Sequence, residues 1–90
     1  MKAVLFYESN KTPLEKIMEV FPRHKALLDE FQKRGELLAV GAFANPREDG
    51  SMGIFKAREF AEAFVKRDPF VNEGIIGKAT IKDWNETLLG

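Results

Sequence analysis

The chain has one histidine and no cysteine. His24 is therefore the only side chain of the type that ordinarily titrates near neutral pH. It stands in Phe21-Pro22-Arg23-His24-Lys25-Ala26-Leu27-Leu28, two residues after a proline. An imidazole held beside a carboxylate keeps one tautomer and can act as a general acid or base. The same residue could equally be a packed histidine with one ring nitrogen bonded to backbone. The best carboxylate candidate is Asp68, in Asp68-Pro69-Phe70-Val71-Asn72-Glu73-Gly74. Asp68 also suits the cap of a short turn, with Pro69 at its first position and Gly74 closing it. The roles are compatible, because one carboxylate oxygen can accept a backbone N–H while the other accepts an imidazole N–H. Tyr7, Phe43, Phe70 and Trp84 are the aromatic candidates for a pocket that takes a ring, and each also suits a core. Phe70 leads them because it rides on the Asp68 segment.

Other chemistries find little support. One histidine and no cysteine leave only carboxylates as further metal ligands, and no spacing suggests a calcium loop or a histidine triad. No metal site is expected. Gly50 and Gly53 read as turn and strand glycines rather than a phosphate cradle. Fourteen basic residues balance fourteen acidic ones, so no global field favours nucleic acid or an anionic membrane. The longest apolar run, residues 37–44, is too short to span a bilayer. The start, MKAVLFYE, lacks the apolar core and cleavage region of a signal peptide. These features, with the absence of cysteine, lead to the expectation of a cytoplasmic protein. Ninety residues lead to the expectation of a single domain over 1–90.

The elements that must position the candidates follow from periodicity. Residues 2–8 read as a strand with Val4 and Phe6 on one face and Ala3, Leu5 and Tyr7 on the other. Thr12-Pro13-Leu14-Glu15 reads as a helix start with Thr12 as cap and Glu15 completing a capping box. Ile17, Val20, Phe21, Leu27, Leu28 and Phe31 then form a helical stripe that includes His24 and ends before Gly35. Pro22 should kink this helix or divide it. Residues 36–43 form a strand whose continuous apolar run suggests burial on both faces. Residues 45–50 are turn chemistry and lead to a third strand over 51–57, antiparallel to the second. Residues 58–67 form a second amphipathic helix, stopped by Pro69, and residues 75–84 the last strand.

The order β-α-β-β-α-β predicts an α+β, ferredoxin-like sandwich. Two helices cover one face of a four-stranded sheet. The other face carries apolar residues and is expected to be covered by a second copy, making a homodimer.

The ordered set Phe-Pro-Arg-His on the first helix, Gly35 and Leu-Leu-Ala-Val-Gly-Ala-Phe, a turn ending in Asp49-Gly50, then Asp-Pro-Phe-Val-Asn-Glu-Gly-Ile, and a final strand closing on Trp84 resembles the YciI-like family. The resemblance covers residues 2–85. It implies a dimeric α+β barrel, with a histidine–aspartate pair in a pocket that maps onto His24 and Asp68. The chain departs from the family at Gly41-Ala42, where Gly-Pro is usual, which concerns the pocket wall rather than the pair. The activity implied is acid/base chemistry without a cofactor on a small cyclic or aromatic compound, of lyase or isomerase type. One such reaction eliminates chloride from a chlorinated hydroxyquinol. Related folds also serve as muconolactone isomerases, cofactor-independent monooxygenases and ligand-sensing domains. The alternative reading is therefore a non-catalytic small-molecule-binding or accessory module using the same pocket. A purely structural His24–Asp68 pair is the third.

Overall fold

The computed structural model describes residues 1–90. Strands β1 (Lys2–Ser9), β2 (Leu37–Ala42), β3 (Ser51–Phe55) and β4 (Ile76–Trp84) alternate with helices α1 (Leu14–Lys33), α2 (Pro46–Asp49), α3 (Arg58–Arg67) and α4 (Pro69–Asn72). The strands form one sheet in the order β2-β3-β1-β4, with every neighbouring pair antiparallel. This is the ferredoxin-like α+β arrangement expected from the element order. No helix is long and apolar enough to cross a membrane.

Alternation along β1 decides which residues meet the helices. Ala3, Leu5 and Tyr7 join Leu37 and Phe55 from the other strands, and Leu27, Phe31, Ala61 and Phe64 from α1 and α3, in one buried cluster. Phe31, Phe55 and Phe64 pack edge-on or tilted, with centroids 5.2–6.4 Å apart. Such contacts add to the burial of each ring. Outside this core, Glu30 binds both Arg34 and Arg67, tying the last turns of α1 to α3. The opposite face of the sheet presents Val4, Phe6, Met52, Ile54 and Trp84 and has no helix over it.

Three local expectations are corrected. Helix α1 runs as one element through Pro22, so the proline does not divide it. The bond that proline cannot donate lies on an exposed side of the helix, where the freed carbonyl can be solvated. Thr12 does not cap α1. Pro13 occupies the cap position without a side-chain bond, and the Thr12 hydroxyl instead donates to the Ile75 carbonyl at 3.0 Å. Strand β2 is not buried on both faces, since only Leu37 is buried. β2 is a sheet edge, and a bulge between Leu37 and Ala39 shifts its register against β3. Leu37 therefore opposes Phe55, and Val40 opposes Gly53, on the helix side, while Leu38 and Val40 stay 47% and 54% exposed.

Residues 45–50 form more than a turn. Pro46–Asp49 closes one helical turn, and Gly50 ends it with φ 77°. A Cβ at Gly50 would lie 1.9 Å from the Tyr7 carbonyl oxygen, so backbone meets backbone there and only glycine fits.

Candidate active site

Asp68 sits between two helices. Pro69 blocks helical geometry at the preceding residue, so α3 ends at Arg67 and Asp68 takes φ −70°, ψ 119°. From there it caps α4, accepting the Phe70 N–H on Oδ1 at 3.0 Å. The expected cap is present, yet the side chain is fully buried, which a surface cap would not need.

Two further donors explain the burial. The His24 ring lies with Nδ1 2.8 Å from Asp68 Oδ1, and the Tyr7 hydroxyl donates to Oδ2 at 2.6 Å. The carboxylate thus gathers an imidazole, a phenol and a backbone amide from α1, β1 and α4. No buried side-chain polar atom of the protein lacks a partner. Burial first, then the hydrogen bond to Asp68 and its charge, push the Tyr7 phenol well above its ordinary pKa. Tyr7 is therefore held as a donor.

The histidine ring is fixed in orientation as well as in bonding. His24 and Phe70 stack with centroids 3.9 Å apart and planes 1° from parallel, and the edge of Phe64 closes another side at 6.2 Å. An ionised carboxylate is an acceptor only, so the proton of the neutral imidazole belongs on Nδ1. Nε2 then carries the lone pair, and no hydrogen bond within the protein takes it up.

His24 lines an open cleft of about 360 Å³ between α1, α4 and the adjoining ends of β1, β2 and β3. Its walls include Phe21, Leu28, Val40, Ser51, Phe70 and Ile75. A narrower recess of about 30 Å³, bounded by Tyr7, His24, Leu28 and Val40, continues toward the core. The cleft is within the size range of small-molecule sites and larger than a single aromatic ring needs.

The structure brings His24, Asp68, Tyr7 and Phe70 together. Tyr7 borders the cleft, but its hydroxyl is committed to Asp68. Phe43 lies beyond the end of β2, 37% exposed, and Trp84 lies at the end of β4 among residues of the helix-free face. Neither lines the His24 cleft. Val40, Phe21 and Ser51 do, and sequence reasoning did not assign them there. The β2 bulge, which turns Val40 toward the helices, leaves no mark in the apolar run. Tyr7 as a partner of Asp68 had one readable signal, its position on the same face of β1 as Ala3 and Leu5.

Sheet order, single-sided helices and element order define a ferredoxin-like α+β protein, with a buried histidine–aspartate pair facing a cleft. Residues 1–85 match the YCII-related domain, and the chain belongs to that family. It is 26% identical over 98 aligned positions to Protein YciI of Escherichia coli O6:H1, covering 98% of this chain and all of that one. The same identity and coverage hold for Protein YciI of Shigella flexneri. Among solved structures it is similar to 5-chloro-2-hydroxyhydroquinone dehydrochlorinase from Burkholderia phenoliruptrix AC1100, in complex with 2,5-dihydroxybenzoquinone. That likeness has a TM-score of 0.77 at 18% identity, covering 97% of this chain and 96% of the other. A hypothetical Arabidopsis thaliana protein aligns with a TM-score of 0.53 at 17% identity, over 99% of this chain and 89% of that one.

Proposed function

We propose that this protein is a small acid/base enzyme of lyase or isomerase type acting on a cyclic or aromatic metabolite. The observation that carries the reading is the arrangement of His24. Nδ1 is engaged by a buried carboxylate, and the residue borders a cleft with Nε2 unclaimed. In this role Nε2 takes a proton from the substrate and returns one later. Asp68 holds the tautomer and stabilises the imidazolium that forms, as carboxylates do in histidine dyads. Tyr7 positions Asp68, and Phe70 keeps the imidazole plane fixed. The likeness to the Burkholderia dehydrochlorinase supports a ring substrate, at the level of fold. The protein is further proposed to work as a homodimer, with a second copy covering Val4, Phe6, Ile54 and Trp84 on the helix-free face.

The test pairs His24→Ala and Asp68→Asn with the wild type. Chloride release from 5-chloro-2-hydroxyhydroquinone and turnover of simple lactones and hydroxylated rings are the assays. Both variants should lose roughly 100-fold or more in turnover while keeping a cooperative unfolding transition. Turnover retained in both variants would remove the dyad from the mechanism. Tight binding without wild-type turnover of any compound would favour a binding module.

A further inference from the structure

The charge of the cleft is as informative as its shape. Sixteen residues line it, and none is lysine or arginine. Its charged lining residue is Glu8, and directly behind His24 lies the buried Asp68 carboxylate. The Phe70 amide at the start of α4 is already taken by Asp68, so it is not free for an anion. Cations near the mouth are paired with carboxylates, Lys16 and Arg23 sharing Glu73. Lys11 lies 3.3 Å from Glu48, Lys16 3.6 Å and Arg23 2.5 Å from Glu73, and Lys25 3.0 Å from Asp29. Arg47 is not among the cleft's lining residues; with Lys11 and Thr12 it lines an adjoining hollow that shares Ser9, Ile17 and Pro46 with the cleft.

With a neutral imidazole, the inner site therefore has a net negative charge and no cation to offset a second one. A carboxylate or phosphate placed against His24 would lose its hydration without a partner and meet Asp68 across the ring. A neutral hydroxyl suffers neither cost. We infer that the reacting ring enters uncharged, as a phenol or hydroxylated lactone with no carboxylate or phosphate at its His24 end. This rests on the acid/base reading above and narrows its substrate class. The proton step then balances within the site. The substrate O–H bond breaks, an N–H bond forms at Nε2, and the electron pair stays on oxygen. A substrate anion and an imidazolium arise together, so the charge of the site is unchanged. Tyr7, kept protonated, adds no further negative charge.

Two probes of nearly equal shape decide the matter. 3,4-Dihydroxybenzamide is neutral, and 3,4-dihydroxybenzoate replaces its amide with a carboxylate. Each is titrated near pH 7 while the ring protons of His24, the only histidine, are followed by NMR. The neutral probe should shift the His24 signals with a Kd at least about tenfold lower than the anion. Val40→Lys, at an exposed position of the cleft wall, should narrow or reverse the preference without touching the His24–Asp68 pair. Equal or tighter binding of the carboxylate by the wild type overturns the charge inference and leaves the dyad standing. An unchanged preference in Val40→Lys also overturns it. If neither probe moves His24 at millimolar concentration, the inference falls together with the ring-binding reading beneath it.

Discussion

Replacing Asp68 by alanine tests whether one carboxylate holds the site together. The substitution strands three donors: the Tyr7 hydroxyl, the His24 Nδ1–H and the Phe70 amide. Tyr7 and His24 are buried, at 6% and 8% exposure, so water cannot simply replace the lost acceptor without a rearrangement. An orphaned buried donor costs about 1–3 kcal/mol, and losing an N-cap about 1 kcal/mol. Relief from burying a charge offsets part of this. Breaking a buried charged network from one side costs about 3–5 kcal/mol, and that is the expected loss. A domain of this size is held by on the order of 5–13 kcal/mol, so Asp68→Ala should be marginal but foldable in favourable buffer. Asp68→Asn is the control. Its carbonyl can still accept from His24 and Phe70, while its amide faces a Tyr7 hydroxyl free to rotate and accept. It should cost about 1–2 kcal/mol. Urea unfolding followed by Trp84 fluorescence reads both, and the midpoint should fall in the order wild type, Asn, Ala. An alanine variant within about 1 kcal/mol of wild type would refute the claim that the carboxylate organises three elements.

Two further outcomes concern neighbouring residues. The raised pKa of Tyr7 means that, as pH climbs past about 10, the unfolded chain loses the phenolic proton before the folded chain does. Its stabilising contribution is therefore complete below that pH and lost above it, at about 1.4 kcal/mol per pH unit. Tyr7→Phe should have a shallower alkaline decline by that one proton, and the single tyrosine makes an ultraviolet titration of the folded protein a direct check. A phenol that titrates normally while the protein stays folded would contradict the Tyr7–Asp68 bond. Gly50→Ala meets the Tyr7 carbonyl and a left-handed backbone at once, so it should destabilise by about 2 kcal/mol or more. Gly35→Ala shares the positive φ but has open space around it, and should cost less by thermal unfolding.

The elements whose signals are local were legible. Pro69 stopping α3, Asp68 capping the short helix after it, and the stripe that puts His24 with Val20, Leu27 and Phe31 all depend on residues within one or two turns. The sheet order is then constrained by the order of the elements. The departures arise from where each element faces. Pro22 reads as a break, but the helix tolerates it because the lost bond points outward. Leu37 to Phe43 reads as a doubly buried strand, yet an apolar run does not say that its strand is an edge or contains a bulge. Within the site, His24 and Asp68 were each identifiable as candidates, and Phe70 as a pocket aromatic because it stands two residues after Asp68, but its stack on His24 was not legible. The Tyr7 bond spans 61 residues, and the sequence shows only that Tyr7 shares a face of β1 with Ala3 and Leu5, not which residue it meets.

The double use of Asp68 explains how a short sequence rule can build a site at long range. The Asp-Pro pair sets the backbone where α3 hands over to α4, so local geometry fixes how Asp68 leaves the chain. One oxygen then has to serve both the Phe70 amide and the imidazole, and both bonds must converge on Oδ1. They can converge because Phe70, whose amide is one of the donors, also lays its ring flat against the other donor's ring. The cap, the stack and the dyad are consequently one constraint. Moving α1 against α4 would break the stack and the Nδ1 bond together, leaving Tyr7 as the only side-chain donor to a buried anion. That penalty opposes motion at the floor of the cleft. Any rearrangement needed to admit a ligand should come from the opposite wall, where α2 buries no residue and β2 is a free edge.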